Sequence, residues 1–239
     1  MQGYYPMQSL FEYLNSLSLL TLFLLFLVEN TVLAFMAVWL GFAHDGLLRE
    51  MGRIITRQEI YWACSTIFFN TLITLGGYIL FKQHHIIFNI EFDLLKISID
   101  LAVLVFAMDL LMYVFHFAIH KLQFIYRYHD LHHRYNTPTA ISLFVLHPVE
   151  VLGFGMVWLF LLIVIHFSIY AVILYLIFNV AMGIIGHLRK EFVPAQIKNN
   201  VLFQWLANTG FHVDHHQHEH FNFGFYTTFW DRIFGTLKK

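Results

Sequence analysis

Three short runs of histidine carry the chemistry open to this chain: His116-x3-His120, His129-x2-His132-His133 and His212-x2-His215-His216. Imidazole is the commonest metal-ligating side chain, and burying it without a partner in apolar surroundings is expensive. At i, i+4 spacing, two rings share one helix face with Cβ atoms roughly 5–6 Å apart. If helical, each His-x2-His-His box offers three ring nitrogens from one turn, so the two boxes and the pair supply eight. A tetrahedral zinc takes four ligands. Eight histidines suit two metals about 3.5–4 Å apart, each keeping an open position. Imidazole serves Fe, Zn, Cu and Ni alike, so the ligand set does not choose the metal. The competing use of such clusters is a proton relay or pH sensor at helix ends; a spacing repeated three times on one face argues for metals.

The elements that position these residues belong to a membrane protein. Hydrophobic residues make up 59% of the 239 and charged residues only 12%, about half the charged fraction of a soluble domain. Five apolar segments can be drawn, at 17–42, 60–81, 99–119, 149–165 and 168–185. The last two, separated by His166-Phe167, read as a hairpin that stops short of a full crossing. The expected fold is therefore all-α: a polytopic membrane helical bundle whose hydrophilic segments form a helical cap over the helix ends. Residues 1–98 read as N-terminal membrane helices, and 99–239 as a catalytic domain integrated with them. The pairs Gly153/Gly155 and Gly183/Gly186 mark places where helices can approach closely.

Lysine and arginine positions orient the bundle. With the N-terminus outside, Arg49, Arg53, Arg57, Lys121, Arg127, Arg134, Arg189, Lys190, Lys198, Arg232, Lys238 and Lys239 face the cytoplasm, and only Lys82 and Lys96 face out. Every histidine cluster then lies on the cytoplasmic side, leaving His84, His85 and His166 outside. The membrane expected is a bacterial inner membrane or the endoplasmic reticulum. A formal net charge of −1 argues against a nucleic-acid partner. The single cysteine, Cys64, rules out an internal disulfide and a thiolate-held cluster, and reads as a small buried hydrophobe. The first residues show no basic region or cleavage site of a signal peptide.

The order of the histidine motifs resembles the fatty acid hydroxylase superfamily, which includes sterol desaturases and sterol methyl oxidases. Further matches are Tyr126-Arg127-Tyr128-His129, His147-Pro148-Val149-Glu150, Gly186-His187, Asn222-Phe223-Gly224 and Phe229-Trp230-Asp231-Arg232-Ile233-Phe234-Gly235-Thr236. Phe117 stands where that family commonly has arginine. The resemblance implies nine metal ligands: His116, His120, His129, His132, His133, His187, His212, His215 and His216. It also implies two iron ions, for which zinc can substitute in purified protein, together with O2 and an external electron donor. That donor would be a cytochrome b5, a ferredoxin or a reductase, or tetrahydrobiopterin.

Around the ligands, His147, Glu150, His218, His220 and Asn179 are candidates for supporting contacts. Asp130, Asp214 and Glu219 are the candidate carboxylate partners of ligating rings. Asp109, inside the third segment near the face of His116, reads as lining a path to the metals. The expected activity is oxygen-dependent hydroxylation or desaturation of a sterol, fatty acyl chain or related bilayer lipid. Two other classes compete. A membrane zinc hydrolase would normally carry His-Glu-x-x-His, which is absent. A non-catalytic metal or haem-binding protein would pair histidines across spans rather than at their ends.

Overall fold

The computed structural model describes residues 6–194, 196, 200–201 and 203–238; Lys198 and Lys239 lie outside the described residues. Its elements are helices α1 (Pro6–Ser16), α2 (Leu19–Asp45), α3 (Met51–Ile54), α4 (Arg57–Lys82), α5 (Leu94–Lys121), α6 (Gln123–His133), α7 (Pro148–Val164), α8 (Ile169–Gly186), α9 (Thr209–Gln217) and α10 (Phe229–Phe234). Among the described residues there is no strand, only two isolated bridges. Four helices, α2, α4, α5 and α8, are long and apolar enough to cross a membrane. The chain is a multi-pass membrane protein.

Local chemistry sets where these helices begin and end. Ser18 caps α2 by accepting from Thr21 N, and Gly46 at φ 74° closes it in the left-handed region. Thr56 and Glu59 form a reciprocal capping box at the start of α4. Asp93 caps α5. His147 accepts from Val149 N and, with Pro148 at the first helical position, starts α7. The caps that close α2 and open α4 and α5 extend the expected segments by a few residues, because hydropathy stops where the apolar stripe stops and hydrogen bonding does not.

The 17-residue α7 is shorter than the roughly 20 residues a full crossing needs. Its turn into α8 nevertheless meets the α4–α5 connection, through Asn89 N to Phe167 O at 2.9 Å and Ile169 N to Asn89 O at 3.0 Å. Asp100 on α5 accepts from Ser168 N at the same end. At the opposite end, Asp45 at the close of α2 accepts from Arg189 N and Lys190 N, both 3.0 Å, holding the chain that follows α8. The bundle thus has one structural end and one functional end.

Close packing follows the small residues. A Cβ on Gly153 would meet the Phe115 ring at 2.2 Å, one on Gly155 the Ile73 side chain at 2.2 Å, and one on Gly41 the Ala140 Cβ at 2.3 Å. Gly183 and Gly186 serve the cap instead: their nearest neighbours are Leu143 and the His212 ring. Asn30 on α2 donates to Phe26 O and reaches Thr74 on α4 at 3.5 Å. Cys64 corrects its sequence reading. It is exposed on the protein surface, since burial within a single-pass apolar stripe depends on which face meets a neighbour and which meets lipid.

Candidate metal centre

The three histidine runs converge at the functional end. α5 brings His116 and His120, α6 brings His129, His132 and His133, α9 brings His212, His215 and His216, and His187 follows α8 directly. They sort into two groups in which each residue offers one nitrogen within 4.8 Å of the others. One contains His116, His120, His129, His133 and His215; the other contains His132, His187, His212 and His216. Each box therefore serves both groups. In α6 the i, i+4 pair His129/His133 turns to the first while His132 crosses to the second, and α9 does the reverse with His215. The groups touch: the His133 and His216 rings lie 4.8 Å apart by centroid.

Their hydrogen bonds decide which nitrogen is free. The Nδ1 atom of His116 faces the Phe223 carbonyl at 3.0 Å, that of His129 faces Glu150 Oε1 at 2.7 Å, and that of His215 faces Phe221 O at 2.7 Å. An acceptor at Nδ1 puts the proton there and leaves Nε2 as a lone pair. Yet His116 Nε2 and His129 Nε2 lie 3.1 Å apart, and His133 Nε2 lies 3.0 Å from His129 Nε2. Lone pairs converging at roughly 3 Å match the spacing of ligands around one ion with ~2.0–2.1 Å bonds. Similarly His187 Nδ1 faces Gly183 O at 2.9 Å, which leaves its buried Nε2 without a hydrogen-bond partner; His215 Nε2 is likewise unpartnered. The donor set fits a metal in each group.

Electrostatics points the same way. Burial draws His132 down to about 4, against the opposing charge of Glu150. It draws His187 to about 3, helped by His132, and His215 to about 3 against its bond to Phe221 O. Burial first, and then neighbouring histidines, holds His133, His212 and His216 far below the ordinary imidazole range. All of these rings are neutral at physiological pH, the state a metal requires.

The remaining candidates fall in several places. Glu150 holds His129. Glu219 accepts from the Tyr126 hydroxyl and brings Oε1 to 3.8 Å from His133 Nδ1, an electrostatic contact beyond hydrogen-bond reach. Asp130 and Asp214 engage Arg134 and Lys238 rather than any of the nine rings. His147 caps α7 and stacks on Tyr128, with centroids 4.4 Å apart. His218 lies 3.2 Å from Lys238 Nζ, and His220 is exposed. Asn179 accepts from the Tyr226 hydroxyl at 2.6 Å. Asp109 is not among the residues lining the cavity beside the rings. Fully buried, it accepts from Tyr226 N, Thr227 N and the Thr227 hydroxyl, pinning the C-terminal segment to α5.

One functional residue escaped the sequence reading, although it lies in a quoted motif. Asp231 is fully buried and accepts from Phe223 N and Gly224 N, both 2.8 Å, and from the Thr236 hydroxyl. It thereby shapes the loop whose carbonyls, Phe221 and Phe223, orient His215 and His116. An acidic residue inside a mostly apolar, aromatic C-terminal run was the available signal. Gly224 has the same cause, since a Cβ there would meet Thr227 O at 2.5 Å and Asp231 Oδ2 at 2.8 Å.

A cavity of about 260 Å³ opens beside the rings. His116, His129, His132, His187 and His212 wall one part of it, and Met112, Phe154, Val180 and Phe225 much of the rest.

Residues 101–236, more than half the chain, match the Fatty acid hydroxylase family. The chain is 26% identical over 124 residues to human cholesterol 25-hydroxylase, covering 52% of this chain and 45% of that protein. It is 25% identical over 186 residues to human lathosterol oxidase, covering 77% of this chain and 59% of that protein. It thus spans about half the length of the curated relatives it matches. No solved structure matches significantly. A helical membrane bundle whose boxed histidines meet at one end, matched along 101–236, identifies the chain as a member of the Fatty acid hydroxylase family.

Proposed function

We propose that this chain is an integral-membrane, oxygen-dependent lipid hydroxylase or desaturase whose nine histidines bind two iron ions. The observation that carries the reading is the division into groups of five and four rings with converging nitrogens, opening on a largely apolar cavity. Bound there, the iron pair supplies reduction of dioxygen and oxidation of an unactivated C–H bond. The chain's own residues do the rest. Glu150 and the loop carbonyls orient the rings. Met112, Phe154, Val180 and Phe225 exclude water and receive the hydrocarbon. His147, His218 and His220 support the surrounding surface and are not ligands in this reading.

The lipid is a bilayer-dissolved amphiphile reaching the cavity laterally. A sterol is favoured over a fatty acyl chain, ceramide or ether lipid, because both relatives carry the names of sterol-oxidising enzymes. The sequence carries no Gly-x-Gly-x-x-Gly, which supports an external donor: a cytochrome b5, a ferredoxin, a reductase or tetrahydrobiopterin. The lysine and arginine bias supports an outside N-terminus and a cytoplasmic centre, where such donors are found. Residues 1–98 contribute membrane helices and part of the cavity wall, and 99–239 the rings.

Two measurements test this. Metal analysis with a reduced-minus-oxidised spectrum should give two irons and no haem; one zinc per chain, or a haem spectrum, rejects the reading. Lipidomics of cells with and without the chain, beside a His132→Ala control, should find a lipid that gains one oxygen or loses two hydrogens only with the intact protein. No lipid change under oxygen with a competent donor also rejects it.

A further inference from the structure

The cavity beside the rings is short of charge. No lysine or arginine lines it, and its one carboxylate, Glu150, is engaged by His129. Its neutral polar groups are mostly occupied. Thr66 donates to the Leu146 carbonyl, Asn179 and Tyr226 bond each other, and Asn208 caps α9. Asn70 is the exception: it lines the cavity, and its side chain makes no hydrogen bond to any described residue. A carboxamide in apolar surroundings without a partner is costly, and polar residues within membrane spans are usually kept for function.

The position of Asn70 is also informative. It stands thirteen residues beyond Arg57 in the 26-residue α4, roughly 20 Å from that end at 1.5 Å per residue. It shares a helix face with Thr66 at i, i+4, the face turned to the cavity rather than to lipid. His116 lies five residues before the end of α5 on the same side of the bundle, at a depth of roughly 8 Å. Counted from those helix ends, the amide lies about 12 Å further along its helix than the first ring does along its own.

We propose that Asn70 is the hydrogen-bond partner of a neutral oxygen function, a hydroxyl or a carbonyl, on the lipid that fills this cavity. The proposal rests on the lipid-oxidising reading above and adds the determinant of specificity. A carboxylate or phosphate would meet no lysine or arginine beside Asn70, whereas a hydroxyl meets an amide that otherwise has nothing to bind. The site thus selects a long apolar molecule with one uncharged oxygen held away from the oxidised carbon.

Equilibrium competition on the full chain in phosphatidylcholine nanodiscs tests this. The radiolabelled probe is hexadecan-1-ol, and the competitors are hexadecane, palmitate, cholestan-3β-ol and cholestane. The alcohols should compete about tenfold better than their hydrocarbons, one ordinary neutral hydrogen bond, and palmitate should compete no better than hexadecane. Asn70→Leu should bring alcohol and hydrocarbon within about twofold, with metal content unchanged and Tm equal or higher, because it removes a half-buried amide that has no partner. The proposal is overturned if the unmodified protein treats alcohol and hydrocarbon alike, if palmitate matches hexadecanol, or if neither alcohol binds. A preference that survives in Asn70→Leu, or a lowered Tm revealing a structural role, overturns it equally. The comparison on the unmodified protein stands even if the variant does not fold. Binding needs neither electrons nor dioxygen, so failure here leaves the oxygenase reading to its own metal and product tests.

Discussion

The two histidine groups share a membrane end and a side-chain type, but they are held differently. In the group of five, His129 is fixed by a buried carboxylate, and His116 and His215 by carbonyls of a loop that Asp231 braces. In the group of four, only His187 has a close Nδ1 acceptor, the Gly183 carbonyl one turn earlier. His132 reaches the Val145 carbonyl at 3.4 Å, and His216 Nδ1 has no hydrogen-bond partner. The second group contributes three of its four rings to the cavity wall, the first two of its five. The contrast teaches that the rings are held most firmly around the buried carboxylate, and less firmly where they wall the cavity.

Removing a ring tests this contrast most severely. His129→Ala, central to the first group, should lower bound metal from two per chain to one and bring product to background. His212→Ala should also lose one metal, from the other group. Metal analysis of the two variants, with competition by a chelator, should show the remaining metal leaving faster from His129→Ala. Equal release rates would erase the distinction drawn here.

Acid should act next most strongly on metal-depleted protein. His132, His187 and His215 have folded-state values of about 4, 3 and 3, below the ordinary imidazole value. Above pH ~6.5 they are neutral in both folded and unfolded chains, and no stability is lost. As pH falls, the unfolded chain binds protons that the folded chain refuses, so stability declines from ~6.5 toward ~3. Thermal melts across that range should show Tm falling, and a flat profile would count against the burial of these rings.

Two further variants separate orientation from ligation. Glu150→Gln removes the charge behind His129 while keeping its size, and should weaken metal binding at the first group about 10–100-fold. Metal titration should find the second group unchanged. Asp231→Asn leaves a backbone N–H of Phe223 or Gly224 poorly matched and should cost about 1–3 kcal/mol of stability, read as a lower Tm with both metals still binding. Equal loss of metal from both groups in either variant would mean that the centre behaves as a single unit.

Much of this site was legible beforehand because its signal is periodic. His129, His132 and His133, like His212, His215 and His216, needed only helical geometry to be recognised as one-turn donors, and apolar length gave the spans. His187 was legible only through the Gly-His resemblance, since one histidine after a hairpin has no periodicity to reveal it. Asp109 illustrates the limit. Its place in a span marked it as important, but its hydrogen bonds run to Tyr226 and Thr227, more than a hundred residues away. Asp130 and Asp214 show the converse: adjacent to the boxes in sequence, they turn to Arg134 and Lys238 because neighbours on a helix one residue apart face different directions.

By itself, then, the sequence determined a helical membrane bundle with boxed histidines gathered at one end. Side-chain type and spacing along a single helix are local properties, readable without a neighbour. Only the tertiary structure decided which ring joins which group, that Glu150 rather than Asp130 or Asp214 holds His129, and that Asn70 opens on the cavity. Those facts depend on which faces of separate helices meet. Facing is set by close approaches such as Gly153 to Phe115 and Gly155 to Ile73, which no spacing within one segment encodes.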